Sequence, residues 1–266
     1  MSAPVPGEWE AIAAQFGVDL AQVRRDHLIS HVLAALSQHL PDAEIVFFGG
    51  TALARTYLLD GRLSEDIDLI ARGNRAQICA RIERAMATAL RRSHGRPTWT
   101  PPLTRTRYAE PALLQVVDGT SIQVQVLSST GYPDWPTEIV ELHQRYSDAP
   151  PARLRVLTVE AFVAAKIVAW LDRRAPRDLY DLAALAHRSL ITPTAVQCLR
   201  RYGAASSPPS PRDLGGPPTE AAWQQALAHQ TRLETTAADA LAALANAWAK
   251  ALSRTENDDT SDASDG

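Results

Sequence analysis

Two aspartates separated by one residue, Asp66 and Asp68, lie in the segment EDIDLIA, residues 65 to 71, where acidic and apolar side chains alternate. This alternation is typical of a half-buried strand, so both carboxylates should project from one face while Ile67 and Leu69 face the core. Two carboxylates on one face repel each other unless a cation neutralises them. Hard divalent ions such as Mg²⁺ bind both carboxylate and phosphate oxygens, which would connect this strand to a nucleoside triphosphate.

A glycine pair, Gly49-Gly50, precedes the aspartates by about 16 residues. Residues 44–48 predict a strand and residues 51–59 a helix, so the glycines should form a strand-to-helix turn. Such a turn offers backbone N–H groups and close approach without a Cβ, which suits phosphate oxygens. Each feature alone could be a solvated acid pair or a turn chosen for backbone geometry. Their combination favours a site for a metal and a triphosphate.

A lysine in a helical pattern is the next candidate, because lysine occurs only at Lys166 and Lys250 and the other 25 basic residues are arginine. The compact ammonium of Lys166 suits a triphosphate that is gripped and then released as pyrophosphate. The alternative is a lysine whose stem covers apolar surface while its charge reaches water.

The following helix carries Arg177, Asp178 and Asp181, which share one face at spacings of three and four residues. Asp181 is the predicted active-site carboxylate. Asp178 is expected to bind nucleotide, to cap the helix, or to pair with Arg174.

The surrounding pattern predicts an α/β (α+β) catalytic unit in residues 1–130. Helices are expected at 19–40 and 75–91, and a hairpin at 113–117 and 121–127. Helices at 158–173, 177–189, 193–202 and 219–252 predict a mainly helical domain over residues 131–254 that completes the nucleotide cleft. Residues 255–266 are acidic and lack apolar anchors, so this tail is expected to be disordered.

Composition excludes several classes of protein. Apolar residues make up 45% of the 266 residues, yet no stretch approaches the roughly 18 apolar residues of a membrane-spanning helix. Two cysteines are too few for a disulfide scaffold. The formal charge is −3, but five acids lie in the last eleven residues, leaving 25 acids against 27 bases elsewhere. These features predict a cytoplasmic protein that does not bind membranes.

The segment GGTAL followed by RLSEDIDL resembles the nucleotidyltransferase toxins of the AbiEii/AbiGii type. These include the MenT-like toxins and belong to the DNA polymerase β-like nucleotidyltransferase superfamily. The resemblance continues in Lys166 and in RDLYDL, residues 177–182, and so covers about residues 44–185. It implies a polymerase β-like domain with a small mixed sheet, followed by a helical C-terminal domain.

The resemblance also implies a reaction, in which Mg²⁺ or Mn²⁺ supports nucleotide transfer from an NTP to RNA. The implied acceptor is the 3′ end of tRNA, the consequence is arrested translation, and the implied partner is a cognate antitoxin. The candidate catalytic residues are Asp66, Asp68, Lys166 and Asp181, with Asp66 and Asp68 as the metal ligands. The candidate nucleotide-binding residues are Gly49, Gly50, Thr51, Arg62, Ser64, Lys166 and Asp178.

Several features leave the function open. Superfamily members commonly carry a third metal-binding acid on a later strand, where this chain has Gln123 and Gln125. Glutamine cannot act as a general base. Three interpretations are therefore open: Asp181 replaces the missing acid, the site binds one metal well and the second only with substrate, or catalysis is impaired. The alternative functions are nucleotidyl or phosphoryl transfer to a protein side chain and non-catalytic NTP binding. Ser64 could bind phosphate, be phosphorylated, or simply begin a strand.

Two further groups of residues have an uncertain role. Residues 84–109 contain six arginines without an acid between them, and Trp99 and Tyr108 lie nearby. This segment could bind an RNA backbone and stack a base, or be a solvated loop. His27 and His31 are four residues apart, but no accompanying acid is visible in the sequence, which favours surface or capping roles.

Overall fold

A computed structural model of the chain describes residues 5–203 and 207–262, without the side chains of residues 256–262. The helices are α1 (Glu8–Phe16), α2 (Leu20–His39), α3 (Gly49–Thr56), α4 (Arg75–Ala89), α5 (Val159–Arg173), α6 (Pro176–His187), α7 (Pro193–Tyr202), α8 (Glu220–Leu227) and α9 (Ala237–Asp262). The strands are β1 (Ile45–Phe48), β2 (Asp66–Ala71), β3 (Thr98–Thr100), β4 (Ala112–Gln115), β5 (Ser121–Ser128), β6 (Thr137–Leu142) and β7 (Ala152–Leu157).

The strands of the described residues form one mixed sheet in the order β3-β4-β5-β2-β1-β7-β6. Strand β2 runs antiparallel to β1 and parallel to β5. The mixed α/β fold predicted from the sequence is therefore confirmed. Its acidic strand, β2, has a hydrogen-bonded neighbour on each side.

The described part of the chain divides into two compact units. The first comprises residues up to 132, 137–156 and 229–232, and the second comprises 133–136, 157–228 and the residues from 233 onward. Strand β6 and most of β7 thus belong to the first unit, beyond the boundary predicted at residue 130. Neither strand was predicted, although β7 alternates buried Ala152, Leu154 and Val156 with less buried residues.

Helix α2 supplies much of the core of the first unit. Asp19 caps it by accepting a 2.8 Å hydrogen bond from the N–H of Gln22. The apolar stripe predicted for this helix is fully buried, with side chains of Leu28, Ile29 and Leu33 at 0% exposure.

A charged network also lies inside the first unit. The Arg55 guanidinium donates to Asp26 Oδ1 at 2.8 Å and to the Asp26 and His143 carbonyls at 3.1 and 3.0 Å. The Tyr146 hydroxyl donates to Asp26 Oδ2 at 3.1 Å. Asp26 and Arg55 are each 1% exposed, so this ion pair joins α2 to α3 out of contact with water.

The interpretation of His27 and His31 as surface or capping residues is wrong. Both side chains are buried, and their Nε2 atoms lie 3.0 and 3.4 Å from Asp148. The accompanying acid was missed because it lies more than a hundred residues away, in the β6–β7 connection. Burial lowers the pKa of His31 and lowers that of the nearby His94 to about 4.

The second unit consists mainly of helices that pack around indole rings. Trp170, Trp223 and Trp248 are buried, and their N–H groups donate to the carbonyls of Leu214, Thr235 and Pro209 at 2.8 to 3.0 Å. A buried indole N–H needs such a partner. These bonds fix the irregular connections against the helices.

The single helix predicted over residues 219–252 is wrong, because α8 ends at Leu227 and α9 begins at Ala237. The Thr236 hydroxyl accepts a 3.1 Å bond from the N–H of Asp239 and thereby marks the new helix start. Helix α9 continues to Asp262, so residues 255–262 are helical where disorder was expected. Extending an existing helix costs far less than nucleating one. Residues 263–266 of the predicted tail lie outside the described residues.

None of the helices in the described ranges is both long enough and apolar enough to cross a membrane.

Candidate active site

The Gly49-Gly50 pair begins α3 directly after β1, as the sequence predicts. Phe48, at the end of β1, pairs with Asp68 in antiparallel register, which places the helix start beside the acidic strand. Phe48 is also the N-cap of α3 and provides no side-chain hydrogen bond to the first turn. The N–H groups of such a turn suit an anion, and a phosphate group has the matching charge and oxygens.

Both glycines are in close contact with neighbouring side chains. Gly49 has a φ of 78°, and a Cβ there would overlap the Asp68 carboxylate. A Cβ on Gly50 would overlap the guanidinium of Arg62. Gly49 is therefore required by its backbone conformation as well as by its distance from Asp68.

Asp66 and Asp68 are half-buried, whereas Ile67 and Leu69 between and after them are 0% exposed. Residues two apart on a strand share a face, so the two carboxylates lie on the face opposite the apolar side chains, as predicted. The Thr51 hydroxyl donates to the carbonyl of Asp66. Thr51 thus ties α3 to β2, which gives it a positioning contact in addition to its predicted place beside the nucleotide.

The side chains of Arg62 and Ser64 lie next to Gly50, and the two residues are 4% and 6% exposed. Arg62 Nη1 donates to Gln230 Oε1 at 2.6 Å and lies 3.5 Å from Ser64 Oγ. Gln230 in turn donates to Glu65 Oε2 at 3.0 Å. Sequence reasoning missed Gln230, which lies 168 residues from Arg62 and in no recognisable motif.

The two glutamines lie beside the aspartates, since Gln123 pairs with Asp66 and Gln125 with Asp68 in the parallel β2–β5 register. The Gln125 amide donates to the carbonyl of Ala109. Gln125 therefore anchors the end of the arginine-rich segment one strand away from Asp68. Gln123 is exposed on the same face.

The donor set on β2 fits a divalent cation of the Mg²⁺ or Mn²⁺ class. It consists of two carboxylates on one face, next to an uncapped helix start and without an imidazole or thiolate among the residues described above. Such oxygen ligands favour hard cations. Asp66 and Asp68 are the residues that would hold the ion.

A Gly49→Ala substitution is expected to lower nucleotide transfer by about 100-fold. The new Cβ would push the Asp68 carboxylate aside, and a misplacement near 1 Å costs about that factor. Gly119→Ala is the matched control, because Gly119 has a φ of 88° but nothing within 4 Å of a Cβ. Thermal unfolding should show a loss of stability in both variants from the positive φ, with the overlap adding to it in Gly49→Ala, while only Gly49→Ala loses activity. Equal activities would contradict this placement of Asp68.

In the second unit, Lys166 joins the two aspartates of α6. Its Nζ lies 2.9 Å from Asp178 Oδ1 and 2.6 Å from Asp181 Oδ2, and all three side chains are buried. The alternative of an ammonium that reaches water is therefore wrong. The Lys166 ammonium thus lies between the two carboxylates of α6.

Asp178 pairs with Arg173 and not with Arg174, with 2.7 and 3.0 Å bonds to the Arg173 guanidinium. It does not cap α6, whose N-cap is Ala175. The Arg174 side chain instead donates to the carbonyl of Asp213 at 2.9 Å. Burial favours a raised pKa for Asp178, but Lys166 and Arg173 outweigh it and hold the pKa at about 2.

This pKa predicts an acid-dependent loss of stability. A carboxyl with a pKa of about 2 when folded and 3.8 ordinarily stabilises the fold fully above pH 3.8 and loses that contribution as pH falls towards 2. The loss is worth about 2 kcal/mol. Denaturant unfolding should therefore show a stability gap between wild type and Asp178→Asn that narrows from pH 5 to pH 2. Asp172→Asn, an exposed acid on α5, is the control, and a gap constant with pH would contradict the assignment.

The arginine-rich segment lies on the surface of the first unit. All six of its arginines are exposed, namely Arg84, Arg91, Arg92, Arg96, Arg105 and Arg107. Tyr108 is 89% exposed at a φ of 49°. Arg75 holds the segment by donating to the carbonyl and hydroxyl of Thr106 at 2.8 and 2.7 Å. Together with Gln125, it presents Arg107 and Tyr108 on a fixed turn.

Comparisons with known proteins identify the family and the fold of the chain. Residues 31–265 match the family model described as "Nucleotidyl transferase AbiEii toxin, Type IV TA system". The fold is similar to that of MenT4, a nucleotidyltransferase toxin of Mycobacterium tuberculosis, with 21% identity and a TM-score of 0.66 over 91% of this chain and 88% of that one. It is also similar to a protein of Helicobacter pylori assigned as a nucleotidyltransferase, with 16% identity and a TM-score of 0.53 over 88% of this chain and 96% of that one. No protein of curated function matches the sequence.

Proposed function

Because the chain belongs to the AbiEii family of nucleotidyltransferase toxins of type IV toxin–antitoxin systems, we propose that it transfers a nucleotide from an NTP to RNA. The observation that carries the proposal is the pair Asp66 and Asp68 on β2, facing the Gly49-Gly50 start of α3. The proposed acceptor is the 3′ end of tRNA, where an added nucleotide would prevent aminoacylation and so block translation. Such a reaction would take place in the cytoplasm, where NTPs and tRNA are found.

The reaction is an in-line displacement at the α-phosphorus. The 3′-hydroxyl oxygen of the RNA forms the new P–O bond, the bond to the β-phosphate oxygen breaks, and pyrophosphate leaves. A divalent cation bound by Asp66 and Asp68 supplies positive charge against the negative charge of the phosphates. The N–H groups that begin α3 bind phosphate oxygens, and Thr51 keeps that turn fixed to β2.

Lys166, Asp178 and Asp181 are proposed to serve the same reaction. Lys166 holds Asp181 at 2.6 Å and Asp178 at 2.9 Å, so its positive charge orients two carboxylates in addition to attracting phosphate. Asp181 is the proposed acceptor of the proton from the attacking hydroxyl. Lys166→Arg is more informative than Lys166→Ala, because removing the charge takes a cation away from two buried carboxylates, with Arg173 still paired to Asp178, and is expected to destabilise the unit.

Arg107 and Tyr108 are proposed to bind the acceptor RNA. Their turn is anchored by Gln125, which pairs with Asp68 in the sheet. An exposed aromatic ring and arginines on one segment can stack a base and contact phosphates.

Tyr108→Ala and Arg107→Ala should each weaken RNA binding about tenfold, since a stacked base contributes roughly 1–3 kcal/mol. Affinity for NTP should not change. Fluorescence anisotropy with labelled tRNA measures the first and equilibrium dialysis the second. Arg153→Ala, an exposed arginine on β7, is the control, and equal RNA affinities of all three variants would remove this segment from the acceptor site.

The acceptor is tested by incubating the protein with total RNA, Mg²⁺ and each NTP labelled at the α-phosphate. We expect label in a tRNA-sized band with one or two of the NTPs. Label in protein alone would favour transfer to a protein side chain. NTP binding without pyrophosphate release, in the presence of both kinds of acceptor, would favour the non-catalytic alternative.

The family also implies an antitoxin partner. We propose that a cognate antitoxin suppresses the toxicity of this chain. Co-expression of the neighbouring gene should restore growth in cells that are arrested by the wild-type protein.

A further inference from the structure

Three buried side chains of the first unit bring potential metal ligands to one point. The ligand atoms of His27, His31 and Asp148 all lie within 4.8 Å of one another. His27 Nε2 is 3.0 Å from Asp148 Oδ1, and His31 Nε2 is 3.4 Å from Asp148 Oδ2. Ligands of a tetrahedral Zn²⁺ at 2.0–2.1 Å are separated by about 3.3 Å. The His–Asp distances are close to this separation, whereas other ligand atoms lie up to 4.8 Å apart and must move inward to surround an ion.

His31 is the second indication of a ligand. Its side chain is 4% exposed, and its Nε2 has no hydrogen-bond partner despite its distance of 3.4 Å from the Asp148 carboxylate. The contact has the distance of an ion pair but not the direction of a hydrogen bond. A buried polar atom without a partner is uncommon, and a metal ion at the centre of the cluster would satisfy it.

The surrounding hydrogen bonds can orient His27 as a metal ligand. His27 Nδ1 lies 3.2 Å from His94 Nε2, and His94 Nδ1 lies 2.9 Å from Ser93 Oγ. With the proton of each ring on Nδ1, His27 donates to His94 and His94 donates to Ser93. This arrangement leaves the Nε2 lone pair of His27 directed towards Asp148 and His31. A histidine that binds a metal usually donates its other N–H in this way.

The cluster connects distant segments of the chain and is largely shielded from water. His27 and His31 lie on successive turns of α2, Asp148 lies in the β6–β7 connection, and His94 follows α4. The rings of Trp9 and Tyr146 lie 5.1 and 4.9 Å from that of His27 and cover it. A closed site that joins separate segments is typical of a structural metal.

We propose that His27, His31 and Asp148 bind a divalent transition-metal ion, with Zn²⁺ as the preferred ion, that stabilises the first unit. Imidazole nitrogens favour Zn²⁺ over Mg²⁺, whereas the carboxylates of Asp66 and Asp68 favour the harder ion. The chain would then bind two chemically different metals. The ion at Asp66 and Asp68 would take part in the reaction, and the ion at His27, His31 and Asp148 would stabilise the fold.

The test uses Co²⁺ as a spectroscopic substitute for Zn²⁺ in the full chain carrying Asp66→Asn and Asp68→Asn, which removes the other carboxylate site. We expect one Co²⁺ per chain, with the intense visible absorption of tetrahedral coordination, in which a water molecule or the second Asp148 oxygen completes the three protein ligands. Added Zn²⁺ should displace it and raise the unfolding temperature. His31→Gln and Asp148→Asn should each weaken binding at least tenfold, while His39→Gln, an exposed histidine on α2, should not.

Sub-stoichiometric or octahedral Co²⁺ binding would overturn the proposal whether or not the variants fold. Equal Co²⁺ affinity of folded His31→Gln and His39→Gln would do the same. Circular dichroism shows which variants are folded. Metal analysis of the protein after dialysis against Zn²⁺ provides an independent count and should also give one ion per chain.

Discussion

Replacing Asp68 with asparagine is expected to lower the rate of nucleotide transfer by about 1000-fold, because charge stabilisation by a bound metal contributes several kcal/mol to such reactions. Asparagine has nearly the same shape as aspartate and fits against Gly49, so the fold should be retained. Loss of one charge also relieves the repulsion between Asp66 and Asp68. The unfolding temperature without metal should therefore stay the same or rise slightly, and Mg²⁺ or Mn²⁺ should no longer raise it.

This combination of results distinguishes a catalytic role from a structural one. Asp118→Asn changes an exposed acid in the β4–β5 turn and should leave both activity and metal response near wild type. Asp66→Asn should resemble Asp68→Asn. Activity within tenfold of wild type in either variant would show that the β2 carboxylates do not hold the reacting metal.

Replacing Arg55 with methionine should cost about 3–5 kcal/mol of unfolding free energy, because it leaves the buried Asp26 without its main cation. The Arg55 guanidinium makes a 2.8 Å bond to Asp26 and a 3.0 Å bond to the His143 carbonyl. Burial lowers the pKa of Arg55 to about 10, against the opposing effect of Asp26, so the guanidinium remains charged at neutral pH. Methionine fills part of the volume but can donate no hydrogen bond.

The matched control is Arg153→Met. Arg153 lies 3.4 Å from Asp42, but its side chain is 58% exposed, and exposed pairs contribute at most about 1 kcal/mol. Urea unfolding measures both variants. Arg145 Nη1 also lies 3.5 Å from Asp26 Oδ1. A cost below about 1 kcal/mol for Arg55→Met would mean that Tyr146 and Arg145 suffice to stabilise Asp26.

The sequence was sufficient to predict the local arrangement of the proposed catalytic motif. Gly49-Gly50 at a strand-to-helix turn and Asp66 with Asp68 on one face follow from periodicity and backbone preferences within a few residues. The shared face of Asp178 and Asp181 follows from helical spacing, whereas their ion pairs with Lys166 on the preceding helix were not predicted. These inferences depend on short-range rules, which a single sequence contains.

The partners of buried charges could not be predicted in the same way. Asp148 lies 121 residues from His27, and Gln230 lies 168 residues from Arg62. Only the folded chain brings such pairs together, and no local pattern marks them. Asp178 provides a smaller example. Arg174 is nearer to it in sequence than Arg173, but Arg174 caps α5 in a left-handed conformation and its side chain bonds to the carbonyl of Asp213 instead.

Two errors in the predicted elements had visible signals. Strand β7 alternates buried and less buried residues, but its two arginines and its position after prolines obscured the pattern. The break between α8 and α9 coincides with Thr235-Thr236, where β-branched residues and a capping hydroxyl favour a new helix start. Tertiary packing of residues 229–232 into the first unit completes that break.

The central claim is most directly tested by supplying the same NTP with the label at either the α- or the γ-phosphate, in the presence of Mg²⁺ and total RNA. If the metal that supports nucleotide transfer is bound by Asp66 and Asp68, only the α-label should enter RNA, and the labelling of RNA should disappear in Asp68→Asn. Entry of the γ-label into RNA or protein, or an α-label that persists undiminished in Asp68→Asn, would contradict the account.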